Sequence, residues 1–256
     1  MEPLTPQRAR SFGAVADTYD RARPDYPADA LAWALAGARR PVHRVLDLGA
    51  GTGKLTGSLR AARPDLAVVA VEPDAAMLAV LLGRHPEVRG AVGAAEAIPL
   101  ADGSVDAVVV GQAYHWFDPA RALPEIARVL GPGGVLGLLW NLRDDAEPWV
   151  AELTRRMKGH TDSTRLFDLD AEPPPGLAEH LVDLARHTTR HTQLLDADGL
   201  VALTASRSYA IAAPPDERER LFAAVRELAA THPALAGGST FALPYLTETW
   251  RGTVAG

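Results

Sequence analysis

The sequence predicts an α/β fold: an open, mostly parallel, doubly wound sheet with crossover helices on both faces. Two observations carry this. "HRVLDLG" (43–49), "LAVVAVE" (66–72), "VDAVVVG" (105–111) and "GVLGLLW" (134–140) are short, nearly continuous apolar runs, as strands covered on both faces require. Helical patterns with their own start and stop residues lie between them, and strand–helix alternation at this cadence gives crossover connections.

Taken in order, the first run leads into the glycine-rich "GAGTGK" (49–54). The second ends at Glu72 and is followed by "PDAAMLAVLLGRHP" (73–86), where Asp74 caps a helix and Gly83 and Pro86 stop it. After the third, "DPARALPEIARVLGPGG" (118–134) is the clearest helix. Asp118 caps it, Pro119 suits its first turn, Leu123, Ile126, Ala127 and Leu130 recur at helical spacing, and Gly131 and Pro132 end it. Beyond Trp149 the pattern loosens, and "DLDAEPPPGLAEH" (168–180) reads as a loop. A strand is expected around 185–195, a helix within 196–205, an amphipathic helix in 214–233 with Leu221, Val225, Leu228 and Ala229 on one face, and a final strand in 237–250.

Composition narrows the function classes. Of 256 residues, 47% are hydrophobic and 23% charged, which supports a sizeable core. The net charge of −6 argues against a nucleic-acid partner, which would call for a basic face. Without cysteine there is no disulfide, thiolate metal site or cysteine nucleophile. No apolar run approaches the ~20 residues that span a bilayer, and the N-terminus lacks the layout of a signal peptide. A cytoplasmic protein acting on a small molecule, with no nucleic-acid or membrane partner, is expected, as a monomer or homodimer.

The stretch "VLDLGAGTGK" (45–54) is not a phosphate cradle: a P-loop needs glycine where Leu48 stands and Ser or Thr where Leu55 stands, so Lys54 reads as a helix-surface residue. Nor does it complete a dinucleotide fingerprint, because Lys54 occupies the third glycine position. What stands here is Asp47, Gly49, Gly51 and Gly53 at alternate positions, a tight turn that lets backbone N–H groups approach a carboxylate as readily as a phosphate. Glu72 follows Gly53 by about 19 residues, the spacing at which an acidic side chain meets a ribose in doubly wound folds.

Residues 45–141 resemble the core of the class I S-adenosylmethionine-dependent methyltransferases. "VLDLGAGTGK" matches their first motif, "VEPDAAML" (71–78) the second, "GAAEAIPLADGSVDAVVVGQAYHWF" (93–117) the third and fourth, and "EIARVLGPGGVLGLLWN" (125–141) the helix and fifth strand. "FGAVADTYDRARPDYP" (12–27), "YHWF" (114–117) and "SRSYA" (206–210) resemble a small-molecule subgroup that includes the trans-aconitate methyltransferases, which esterify a carboxylate. The resemblance implies a Rossmann-like seven-stranded sheet of order 3-2-1-4-5-7-6 in one structural domain. Residues 1–40 would form an N-terminal lid and first helix, 41–145 the cofactor-binding core, and 146–256 the part that completes the sheet and shapes the acceptor pocket.

It also implies a site, with S-adenosyl-L-methionine as cofactor and S-adenosyl-L-homocysteine as product. Gly49, Ala50, Gly51 and Gly53 would approach the methionine moiety, with Asp47 orienting the loop. Glu72 would accept from the ribose hydroxyls. Pro73 and Met77 would wall the adenine, with Ala95 and Glu96 at its edge and Gln112 beside the sulfonium. Met77 as helix core and Glu96 as a surface carboxylate are the plainer alternatives. Phe12, Tyr19, Arg23 and Tyr26 would form a lid, Tyr19 and Arg23 reaching the cofactor and Tyr26 the acceptor; the alternative is an N-terminal helix packed on the domain.

For the chemistry, His115 lies between aromatics at the carboxyl end of a central strand, as a candidate base or a packed core histidine. Tyr19 and Tyr209 would add hydrogen bonds to the acceptor, Trp116 would line its pocket, and Arg143 and Arg207 would clamp an anionic one. No metal constellation is expected: His187 and His191 share a strand face without making a site, and no H-E-x-x-H occurs. Methylation of oxygen, with a carboxylate as the specific case, leads; carbon or nitrogen methylation, an NAD-dependent oxidoreductase and a non-catalytic cofactor-binding protein are the rivals.

Overall fold

The computed structural model describes residues 23–158 and 173–255. Its elements run α1 (Ala28–Leu35), β1 (Arg44–Leu48), α2 (Lys54–Ala62), β2 (Ala67–Glu72), α3 (Ala75–Arg84), β3 (Arg89–Val92), β4 (Ala107–Gly111), a 3-10 turn (Tyr114–Trp116), α4 (Pro119–Leu130), β5 (Val135–Arg143), α5 (Pro148–Lys158), α6 (Leu177–His180), β6 (Val182–Leu195), α7 (Ala197–Ala205), α8 (Ser208–Ala212), α9 (Pro215–Thr231) and β7 (Phe241–Thr253). The seven strands form one sheet in the order β3-β2-β1-β4-β5-β7-β6, the Rossmann-like order that the resemblance implies. β7 alone is antiparallel to its neighbours β5 and β6.

Local chemistry explains the boundaries. Asp74 Oδ1 accepts from the N–H groups of Ala76 (2.8 Å) and Met77 (3.2 Å), and Asp118 Oδ1 from that of Ala120 (3.2 Å), so both helices begin where their side-chain caps stand. Gly83 does not stop α3, which runs on to Arg84. Pro86 ends it instead, by keeping His85 out of the helical region (φ −127°, ψ 68°). Four elements carried no sequence signal: the four-residue edge strand β3, and α5, α6 and the short α8 in the region that reads as loose. β7 starts later and ends later than its apolar alternation suggests, because it pairs with the whole of β5 from Val135↔Thr253 to Arg143↔Tyr245. β5 likewise outlasts its apolar run by Asn141, Leu142 and Arg143.

Three buried clusters hold the molecule. On one face of the sheet, Leu46, Val108, Val110, Leu136 and Leu138 meet Leu123, Ile126 and Leu130 of α4. On the other, Val45, Val109 and Leu139 meet Leu31 and Leu35 of α1 and Leu55 and Leu59 of α2. The third joins α5, α7 and α9 to Leu243 and Tyr245 at the start of β7, and so sits by the carboxyl end of β5. No helix among the described residues is long and apolar enough to cross a membrane.

One polar assembly shapes the loop after β3. Arg128 on α4 donates to the carbonyls of Ile98 (2.9 Å) and Leu100 (2.8 Å) and pairs with Asp102 (2.7 Å) and Glu125 (2.8 Å). Glu125 in turn accepts from the Ile98 N–H at 2.9 Å, and its hydrogen bond to the Arg128 guanidinium holds its carboxyl down at about 2. The loop that carries Ala95 and Glu96 is thereby tied to a helix. Arg128→Ala is expected to cost about 1–2 kcal/mol, since the pair is partly exposed and screened. Amide exchange should rise across residues 96–103 and not in β1 or β4; thermal melts and exchange mass spectrometry check both.

Candidate active site

The strand order reverses between β1 and β4, and the crevice outside their carboxyl ends is where open α/β sheets bind ligands. The loop after β1 lines one side of it. Gly49, Gly51 and Gly53 have φ of 71°, 55° and 92°, a left-handed geometry that favours glycine. A side chain at Gly51 would meet nothing within 4 Å, so this turn faces open space, and its N–H donates to Glu72 Oε2 at 2.8 Å. Glu72 Oε1 accepts from the Asp74 N–H at 3.0 Å. The carboxylate is only 7% exposed, and burial raises its pKa against the pull of those two bonds. Two acceptances leave roughly two lone-pair sites for a ligand.

Behind the loop, Asp47 is fully buried. Its Oδ2 accepts from Thr56 Oγ1 at 2.6 Å, and its Oδ1 has no partner. Burial pushes the carboxyl up to about 7, and the nearby Glu72 adds to that. Ala50 is buried in the turn, Pro73 is exposed just past Glu72, and Met77 is half-buried in the first turn of α3. Ala95 is packed in the core, while Glu96 Oε1 accepts from the Asp118 N–H at 2.8 Å and so helps join the loop to the start of α4.

The end of β4 forms the facing side. Tyr26 is buried with its hydroxyl over Gly111; a Cβ there would lie 2.6 Å from that oxygen, so only glycine permits the approach. Gln112 follows at φ 57°, an unusual conformation for a residue with a side chain. It is held by its N–H to the Leu139 carbonyl (2.9 Å) and its Nε2 to the Asn141 carbonyl (2.9 Å). Next come Tyr114, buried and donating to the Pro175 carbonyl at 2.5 Å, half-buried His115, and Trp116, 76% exposed with its ring 4.9 Å from that of His115. Burial lowers the His115 pKa, which keeps the ring neutral at pH 7.

Arg143 and Arg207 do come together. Arg143 is beside Tyr209 and Tyr245, with its Nη1 3.1 Å from Met157 Sδ, and burial followed by the neighbouring Arg207 lowers its pKa. Arg23 donates to Ser206 Oγ and to the Ser206 carbonyl, both at 3.0 Å, next in sequence to Arg207. Burial raises the pKa of both phenols, and the guanidiniums of Arg207, Arg143 and Arg23 pull them back. Arg207 Nε is buried without a hydrogen-bond partner, and the buried hydroxyls of Tyr209 and Tyr245 stand against the guanidiniums of Arg143 and Arg207, respectively.

The structure separates His115 from this cluster. Asn141 and Arg143 extend the β5 face that α1 covers, whereas the turn bearing His115 anchors Tyr114 in the opposite layer. Phe12 and Tyr19 lie outside the described residues. Three residues of the site gave no motif: Tyr245, Asn141 and His191. The alternation of "YLTETW" (245–250) reads as core, yet Thr247 and Thr249 on the same face as Tyr245 already mark it as a polar wall. His187 stacks on Trp33 (5.3 Å), while His191 stacks on Tyr245 (5.4 Å) and so does join the site. Among the described residues no group of three His, Asp or Glu side chains could hold a metal ion.

Residues 46–138 match the profile of the methyltransferase domain family. The whole chain is similar to a methyltransferase of Mycobacterium tuberculosis strain H37Rv, 48% identical over 245 residues that cover 96% of both proteins. This chain belongs to the class I S-adenosylmethionine-dependent methyltransferases. It is also 32% identical, over 74% of its length and 70% of the relative's, to a malonyl-[acyl-carrier protein] O-methyltransferase of Pectobacterium atrosepticum. A type II methyltransferase structure from Anaeromyxobacter dehalogenans shares its fold, with a TM-score of 0.67 at 23% identity over 91% of this chain and 98% of the other.

The crevice of this methyltransferase fits the family's cofactor: an open turn at Gly51, a buried carboxylate with spare lone pairs at Glu72, and an orphaned carboxylate oxygen at Asp47. Asp47 also gives the free enzyme a pH signature. Its folded pKa lies above its unfolded value, so its contribution to stability is full below pH 4 and is lost as pH rises through about 7. Asp47→Asn removes that loss. Thermal melts without cofactor should show the variant gaining on the wild type between pH 5 and 8, with the two converging towards pH 4.

Proposed function

We propose that this methyltransferase transfers a methyl group to an oxygen of a small anionic metabolite, most specifically a carboxylate, and releases a methyl ester. The observation that carries the reading is the pair Arg143 and Arg207, with Arg207 Nε buried without a partner and the Tyr209 and Tyr245 hydroxyls beside the two guanidiniums. Buried cations and donors without partners cost several kcal/mol, and an anion offering acceptor oxygens relieves that cost. The malonyl-[acyl-carrier protein] relative, by its name an O-methyltransferase, supports the same acceptor class.

The chemistry asks little more of the chain. When bound, the cofactor supplies a methyl group activated on a sulfonium, with its own leaving group. A carboxylate is ionised at pH 7 and needs no base, so proximity and in-line alignment are what the protein adds. Glu72 would grip the cofactor's ribose, the amides of 49–53 would face its amino-acid end, Pro73, Met77, Ala95 and Glu96 would border its base, and Gln112 would stand between cofactor and acceptor. With an ionised acceptor, neutral His115 has no proton to remove, and it is assigned with Trp116 to the wall of the entrance. Tyr26 would close the pocket over Gly111.

The test follows labelled methyl from S-adenosylmethionine into an extract of the producing cell, followed by mild alkali. Release of the label marks an ester; alkali-stable label would sink the carboxylate reading and leave carbon or nitrogen acceptors. Arg207→Met should cut alkali-labile incorporation by about 10–100-fold, the worth of a charge-assisted contact, while leaving affinity for S-adenosylhomocysteine within about twofold. Glu72→Gln should do the reverse in calorimetry, weakening S-adenosylhomocysteine about tenfold or more.

A further inference from the structure

Residues 23–27 form a strap that crosses the site and is fastened along its length. Arg23 is held by Ser206, immediately before Arg207. The Asp25 carbonyl accepts from Asn141 Nδ2 at 3.2 Å, and its carboxylate pairs with Lys54 Nζ at 2.8 Å, immediately after Gly53. The Tyr26 N–H donates to Ser58 Oγ at 3.0 Å, and its hydroxyl lies over Gly111. One short stretch thus runs from the guanidinium cluster to the glycine turn, and Asn141 binds it to the sheet.

We infer that Asn141 and His191 are positioning residues for methyl transfer, acting by fixing this strap over the crevice. Asn141 is buried, and its side chain has two possible amide orientations. With Nδ2 committed to the Asp25 carbonyl, Oδ1 faces Thr247 Oγ1 at 2.6 Å and His191 Nε2 at 3.3 Å. The flipped amide would put an oxygen against the Asp25 carbonyl and N–H groups against the ring. A hydroxyl can turn to donate or accept, so Thr247 serves either orientation. The neutral His191 ring can do the same by changing tautomer, so the Asp25 carbonyl, which can only accept, sets the orientation: Nδ2 turns to it, Oδ1 faces His191, and the ring carries its proton on Nε2 and donates to Oδ1. That N–H then holds the amide in the orientation that grips Asp25. The stack on Tyr245 sets the ring plane. The backbone carbonyl of Asn141 meanwhile takes Gln112 Nε2, so a single residue addresses both the strap and the junction between the two half-sites.

The inference rests on the methyltransferase assignment and not on the acceptor. Two variants separate donor from packing: His191→Phe keeps a ring on Tyr245 without the N–H, and His191→Gln keeps an N–H donor without the ring. With S-adenosylhomocysteine bound, exchange at the Tyr26 amide should quicken about tenfold in His191→Phe and stay near wild type in His191→Gln. Incorporation of labelled methyl into the producer's extract at saturating donor should follow the same order, with melting temperatures within about 2 °C of one another. Wild-type exchange in His191→Phe, or equal acceleration in both variants, overturns the role of the N–H. Exchange is read without any acceptor, so an alkali-stable product would refute the ester reading and leave this one standing.

Discussion

The site depends on one buried carboxylate placed between two loops. Glu72 ends β2, yet its oxygens take the N–H of Gly51 from the loop after β1 and that of Asp74 from the start of α3. Neighbouring parallel strands deliver the two loops to the same edge of the sheet, and the carboxylate sets the space between them. Its burial costs free energy that those two amide bonds only partly return. A group held in such a state gains from any further donor, which is what a ligand diol offers. Asp47 repeats the logic one strand away, with one oxygen satisfied by Thr56 and one left over.

The same imbalance, with opposite sign, appears at the far side of the crevice. Arg207 is near enough to disfavour the charge of Arg143, and Arg207 Nε is buried without a hydrogen-bond partner. A binding protein and an enzyme both use such reserves, and here an arginine cluster and a pair of buried carboxylates stand at the same end of the sheet. Between them stands Gln112 in a strained conformation, of a kind that persists only where surrounding contacts over-determine it. Those contacts are the Leu139 and Asn141 carbonyls at the end of β5.

The parts of this protein that read directly from its sequence are those in which local order and function coincide. Four central strands stand out because burial on both faces demands unbroken apolar runs. Asp74 and Asp118 announce their helices because a cap acts within three residues. The glycine turn and Glu72 are visible because a left-handed turn favours glycine and a carboxylate at the end of an apolar run stands out. Gly83 misled because an exposed glycine weakens a helix without ending it. β3 and α5 stayed silent: an exposed four-residue edge strand carries almost no pattern, and α5 becomes a helix by sharing a core with α7 and α9.

The sequence singled out Arg143, Arg207 and Tyr209, but tertiary structure decided that they meet and added Tyr245 and His191. Arg143, Arg207, Tyr209, Tyr245 and His191 come from β5, α8 with the residue before it, β7 and β6, and no periodicity links segments brought together by a long antiparallel strand. The sequence by itself determined the four central strands, the glycine turn and Glu72, since those follow from short-range burial and spacing, while the strand order came from the family resemblance. Which polar residues face one another across β5, β7 and β6 depends on strand register, and register is a property of the folded sheet.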